Sequence, residues 1–170
     1  GAPTGAGTLA VKLKDANEHI LNANVTVDGS ETRDQLAAEI DTAIDTAKAQ
    51  VAALTTTNNN NGTLTLGGGA SFTNIASIAS TGNGENISLS GNNTITVTTP
   101  ATTAGTISFD LVDANGNSLS ITTTSINGNS SATNVIAAIK TAIDVAVAAV
   151  SNGLTTATTA GSDYIAANSG

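Results

Sequence analysis

The chain has 170 residues, 13 of them acidic and five basic, for a formal net charge of −8; a nucleic-acid backbone would be repelled by that balance, not neutralised. Cysteine is absent, which excludes disulfides, thiolate metal sites and cysteine nucleophiles together. Apolar residues make up 39% but aromatic ones only 2%, so a chain long enough for a sizeable core must build it from small aliphatic side chains.

The first element is a strand over Thr8–Leu13, where Leu9, Val11 and Leu13 alternate with polar or small neighbours. Asp15-Ala-Asn-Glu18 has turn chemistry, and a second strand from Ile20 to Val27 completes an antiparallel hairpin. Asp28-Gly29-Ser30 stops it. Thr32 and Gln35 then have the spacing of a capping box. From there Leu36, Ile40, Ala43, Ile44, Ala47, Val51 and Leu54 form a single helical stripe, with Glu39, Asp41, Asp45 and Lys48 opposite. Such a helix needs a cover for its stripe, and the hairpin is the natural one. Burial of Ile40 and Ile44 against it is expected.

Thr55 to Gly62 carries no charge and no periodicity, and reads as a linker or long exposed loop. Strand-like runs follow at Thr63–Leu66, Ile87–Leu89 and Thr94–Thr98, with 72–79 ambiguous between strand and short helix. Pro100 closes this β-rich stretch.

Residues 105–150 then repeat residues 7–51. Gly7-Thr8-Leu9 returns as Gly105-Thr106-Ile107, Asp15-Ala16-Asn17 as Asp113-Ala114-Asn115, and Thr42-Ala43-Ile44-Asp45 as Thr141-Ala142-Ile143-Asp144. The offset is 98 residues early and 99 late, which places one inserted residue between Asn117 and Ile126. Strands are expected over 106–112 and 118–126, a cap at Ser131 and Asn134, and a helix striped by Val135, Ile139, Ala142, Ile143, Ala146 and Val150. Ile136, Val145 and Val147 lie off that stripe, so this helix should be buried on two sides, by the β-rich middle segment or by another subunit. Its most apolar window, 135–150, contains Lys140 and Asp144, and no run approaches the roughly 18 uninterrupted apolar residues of a membrane span. The Thr- and Ala-rich end, 155–161, resembles the linker after the first helix, with Tyr164 as a later anchor.

The expected fold class is therefore α+β: two repeated β-hairpin-plus-helix (ββα) units with an intervening β-rich segment. The first unit spans 1–57. A second subdomain spans 62–170, made of the β-rich segment 62–104, the ββα unit 105–154 and a tail.

Reactive groups do not repeat with the packing pattern. His19 lies at a hairpin turn near Asp15 and Glu18, but the matched position is Asn117, so it reads as a solvated turn residue and not a general base. Asp41 and Asp45 lie one turn apart on a polar helix face beside Lys48. Asp113-Ala-Asn115-Gly116-Asn117 resembles the opening of a calcium loop, yet Thr124 stands where the closing acid is required, so a hairpin turn with Gly116 at a positive backbone angle is the better reading. Gly67-Gly-Gly69 lacks the lysine of a phosphate loop and reads as a flexible turn. Asn24, Asn61, Asn86, Asn92 and Asn129 begin glycosylation acceptor triplets, at a frequency that a Ser- and Thr-rich composition explains by itself. The expectation is a non-enzyme with no catalytic, cofactor-binding or metal-binding residues and no cofactor.

The repeated pattern of Gly-Thr-aliphatic strand, second strand, Asp/Asn-Gly, Ser/Thr cap and Ala/Ile-rich helix resembles the short IN motif in the variable outer region of bacterial flagellins and hook-associated proteins. The matching residues are Gly7–Leu13, Val25–Gly29 and Thr32–Ile44, then Gly105–Leu111, Ile126–Gly128 and Ser131–Ile143. The resemblance implies a structural, non-catalytic outer domain of an extracellular, cell-surface filament concerned with motility. Its partners would be copies of itself or neighbouring filament subunits, with possible glycans, and neither nucleic acid nor membrane insertion. Flagellins assemble through long terminal coiled-coil helices, and no sustained heptads occur at either end here, so an isolated outer region is expected and no polymerisation residue carries over. Two alternatives are a self-assembling pilus or surface-layer subunit using strand complementation, and a cell-surface adhesin module.

Overall fold

The computed structural model describes residues 2–68, 72–80, 87–90, 93–158 and 165–169. In chain order the elements are β1 (Gly7–Lys14), β2 (Ile20–Val27), α1 (Arg33–Ala52), β3 (Thr55–Asn58), β4 (Thr63–Gly67), β5 (Phe72–Ser80), β6 (Ile87–Ser90) and β7 (Thr94–Val97). They continue with β8 (Ile107–Asp113), β9 (Ser118–Thr122), α2 (Ala132–Gly153), β10 (Leu154–Thr158) and β11 (Ile165–Ser169). The architecture is α+β, and among the described residues every strand pair is antiparallel.

One five-stranded sheet has the order β1-β2-β9-β8-β5, and a four-stranded sheet has the order β3-β4-β7-β6. β10 and β11 pair with each other. The alternation expected in the hairpins is realised in β2, where Leu21, Ala23, Val25 and Val27 are buried, and in β8, where Ile107, Phe109 and Leu111 are, but in β1 Leu9 is exposed and Val11 and Leu13 are only half-buried. Phe72–Ser80, ambiguous from periodicity, is a strand and closes one edge of the larger sheet against β8.

Both helices begin as the capping pattern requires. Thr32 Oγ1 accepts from Gln35 N–H at 3.3 Å while Gln35 Oε1 accepts from Thr32 N–H at 2.8 Å. Ser131 Oγ accepts from Asn134 N–H at 3.3 Å. α1 covers β2, and Ile44 is 2% exposed as expected, but Ile40 is only half-buried. α1 packs on β2, α2 and β10, and that cover stops short of Ile40.

α2 is the central helix, packed against β9 below and β3, β4 and β7 above. Val135, Ile136, Ile139 and Ile143 are fully buried in one contiguous core with Leu64, Leu66, Phe72, Ile95, Val97, Phe109 and Leu119. By length and composition alone α2 is apolar enough to cross a membrane; here its Val135, Ile136, Ile139, Ile143 and Val150 are buried in the protein core, while Val145 is 64% exposed. Of the three off-stripe residues that called for a second packing surface, Ile136 is buried and Val147 half-buried, but Val145 is exposed, so the second side of α2 is covered only in part. Each buried Ile or Leu contributes about 1.5–3 kcal/mol relative to exposure.

Two corrections concern segments read as linkers. Residues 55–62 are β3 and the turn into β4, with Asn60 and Gly62 at positive φ, so β3 joins the four-stranded sheet instead of separating two units. Residues 154–158, likewise, form β10, which packs on α1 as β3 packs on α2; 159–161 and Tyr164 lie outside the described residues. Each ββα unit thus runs into a further hairpin, and that hairpin covers the helix of the other unit. The Gly67-Gly68 corner is not merely flexible: Gly68 has φ +92°, and a Cβ there would stand 1.7 Å from the Ala53 carbonyl oxygen.

The inserted residue is also located. β8 and β9 keep one register from Val112 opposite Ser118 to Ser108 opposite Thr122, but Gly105 bridges Ile126, one residue out of step. The second strand of this copy therefore ends at Thr122 instead of running to Ile126. A bulge at 123–125 absorbs the extra residue, and the buried Thr123 Oγ1 accepts the Ile107 N–H at 3.0 Å where a ladder carbonyl would otherwise serve.

Candidate functional site

The two copies meet where β2 and β9 pair at Ile20 opposite Ser118. These residues are 98 apart and so are each other's counterparts. An antiparallel pair of equivalent residues is the signature of a local twofold axis, here between halves of one chain. The hydrogen bonds obey it. Asn22 N–H donates to Asn117 Oδ1 at 2.8 Å, and Ser120 N–H, its counterpart, donates to His19 Nδ1 at 3.1 Å. His19 and Asn117 are themselves counterparts. Side-chain acceptors thus extend the ladder past its single backbone pair.

The turns behind this seam match as well. Asp15 Oδ1 accepts from the N–H groups of Asn17 and His19, both at 2.9 Å. Asp113 Oδ1 accepts from Asn115 at 2.9 Å and Asn117 at 2.8 Å, and its Oδ2 from Asn117 Nδ2 at 2.7 Å. Both oxygens of Asp113 are occupied within the hairpin turn expected there. Gly116 takes φ +81° there, and its counterpart Glu18 is held at φ +70°.

His19 is not solvated. It is 5% exposed, and acceptance at Nδ1 places its proton on Nε2. The turn signal around it was right; its burial comes from the other copy, which no local pattern records. Asn22, Ser120 and Gln50 were missed for the same reason. Gln50 Oε1 on α1 accepts from Asn115 Nδ2 at 3.0 Å, and Asn22 Nδ2 donates to the Asn115 carbonyl at 2.7 Å, so α1 and both hairpins converge on one turn.

No family model matches this chain, and searches of curated proteins and of solved structures return no match.

A second polar cluster ties β3 to α2. Thr56 Oγ1 donates to Asp144 Oδ1 at 2.6 Å and accepts from Lys140 Nζ at 3.0 Å, while Lys140 and Asp144 pair at 2.5 Å. On α1, Asp45 is exposed and Asp41 half-buried, and they do not converge with a third ligand: among the described residues no group of three or more His, Cys, Asp or Glu side chains is placed to hold a metal. An open hollow of about 440 Å³ between β2 and α1 is walled by Asn24, Thr26, Ala38 and Thr42, with Glu39 its one ionisable side chain. Asn24, Asn61 and Asn129 are exposed, whereas Asn86 and Asn92 lie outside the described residues. What these groups can do, as placed, is hold two hairpins and two helices in one relative arrangement.

Proposed function

We propose that the protein is a structural, surface-displayed outer domain of an extracellular filament protein of the flagellin kind, and that it acts by shape and exposure and not by turnover. The observation that supports this reading is the local twofold at Ile20 and Ser118. Positions related by it share seam and turn hydrogen bonding but only part of their ionisable chemistry: Asp15 corresponds to Asp113 and Asp45 to Asp144, whereas His19 corresponds to Asn117, Glu18 to Gly116, and Lys140 to Asp41. A duplicated catalytic device would retain its reactive side chains in at least one complete set, whereas a duplicated scaffold need keep only its packing. The outward face suits display, being rich in Thr, Asn and Ser with a net charge of −8.

The reading is tested by raising antibodies against the purified chain and labelling the producing cells for electron microscopy. Label along sheared surface filaments is expected. Label confined to a surface layer or to the cell interior overturns the proposal, and spontaneous polymerisation of the isolated chain would move the assignment to a self-assembling pilus or surface-layer subunit.

A further inference from the structure

The two hairpins are equivalent in sequence but not in surroundings. β8 carries β5 on its outer edge, and its core-facing Ile107, Phe109 and Leu111 are at most 2% exposed. β1, its counterpart, ends the sheet; among the described residues nothing pairs with its outer edge, Leu9 is 38% exposed, and Val11 and Leu13 are half-buried. The molecule itself thus displays what chemistry satisfies this edge, namely an antiparallel strand.

The open hydrogen-bonding groups can be assigned. Asn22 N–H points away from β1 toward Asn117, so the even-numbered residues of β2 face β9 and the odd-numbered ones bond β1. In the register Gly7 opposite Val27, β1 then turns the N–H and C=O groups of Thr8, Ala10, Lys12 and Lys14 outward. We propose that this edge docks the same edge of a second copy, antiparallel, with Val11 on the twofold axis. That register pairs Val11 with the partner's Val11 and Leu9 with the partner's Leu13, joining the two half-exposed apolar rows into one. Outward-bonding Ala10 meets the partner's Lys12, and Thr8 meets the partner's Lys14.

Lysines on an edge strand usually discourage pairing, and here they bar the registers on one side, while Val11, at the midpoint of Thr8–Lys14, gives the longest ladder of outward-bonding pairs. Shifting the axis to Lys12 would set Lys12 on the partner's Lys12, and shifting it one further would set Lys12 on the partner's Lys14. Centred on Val11, neither lysine is directly opposed by another. A ladder of this length buries far less than the roughly 1,200–2,000 Å² of a freestanding complex. The contact is therefore weak between free copies, and its readout requires high concentration or trapping. It stands on the sheet edge alone and does not depend on the filament reading.

Because the chain has no cysteine, single cysteines report the geometry cleanly. Val11→Cys should form a disulfide-linked dimer under mild oxidation at least about tenfold faster than Thr8→Cys, whose two sulfurs would be about 20 Å apart along the ladder. Simple collision favours the opposite order, since Thr8 is exposed and Val11 is half-buried. Adding Ala10→Pro to Val11→Cys removes an outward N–H that the monomer does not use, and should abolish the rapid trapping with the circular dichroism spectrum unchanged. Equal rates for the two cysteines, or trapping of Val11→Cys that survives Ala10→Pro in a folded chain, overturns the proposal. Should Ala10→Pro fail to fold, the ratio of the two cysteine rates decides alone.

Discussion

A histidine and an asparagine are not interchangeable as acid–base groups, yet at 19 and 117 they accept the same hydrogen bond from the same place in the opposite copy. The role is that of a buried acceptor, and any side chain that presents one can fill it. His19→Asn should therefore fold with stability within about 1 kcal/mol of the parent, while His19→Ala should cost about 1–3 kcal/mol by leaving the Ser120 N–H without its partner. Urea titration of the two variants measures the difference. Asp28 supplies a pH-dependent counterpart. Hydrogen bonds from the Ser30 hydroxyl at 2.6 Å and the Ser30 N–H at 2.8 Å hold its carboxyl below the usual carboxylate range. A depressed folded value stabilises the fold above the ordinary range and ceases to do so as the pH falls through the lowered value. Asp28→Asn, the residue found at position 127, should thus be slightly less stable than the parent at neutral pH, with the gap closing in acid. Thermal melts across the pH range below about 5 test this.

At the scale of elements, the periodicities marked both helices, both capping pairs, both hairpins and the strands β4, β6 and β7. Those features depend on local side-chain spacing, which the sequence displays directly. What it concealed was non-local. Thr55–Asn58 has no apolar alternation because β3 owes its place to β4, whose Leu64 and Leu66 reach the core, and threonine suits such a strand. The half-burial of Ile40 and the exposure of Leu9 likewise reflect which copy lacks a covering strand, and matched sequences cannot reveal that. The seam was legible only as a repeat, since the partner of His19 is 101 residues away. The Gly68 corner was read as flexible for want of one contact, the Ala53 carbonyl against it. Gly68→Ala should consequently destabilise by more than the roughly 1 kcal/mol usual for a glycine replacement, because both the positive φ and the close approach oppose a Cβ. Chemical denaturation of that variant beside Gly153→Ala, where a Cβ meets nothing within 4 Å, separates site from residue type.

For the whole molecule, α2 decides how the chain unfolds. One helix lies against both larger sheets, and a single cluster joins buried residues of the second copy and the middle segment with Leu21, Ala47, Val51 and Leu54 of the first copy, though not with its Ala23, Val25, Val27, Ala37 and Ile44. Loss of any one layer exposes the others, so calorimetry should record one cooperative transition and not two. Ile139→Ala, at 0% exposure, should lower that single transition by an amount matching about 2–5 kcal/mol without splitting it. A biphasic trace would instead assign the first hairpin and α1 to an independently melting unit.

The bulge at 123–125 bears on how such a chain tolerates changes in its length. The surplus residue is confined to three positions between Thr122 and Ile126, and the register on either side is that of the first copy. Removing Thr124, which is exposed, would leave a hairpin with the same residue count as the one that already folds at 7–27. A single-codon deletion inside a β-sheet ordinarily turns every later side chain to the wrong face; at this one location it should merely straighten the strand, and the melting temperature of the deletion variant would show it.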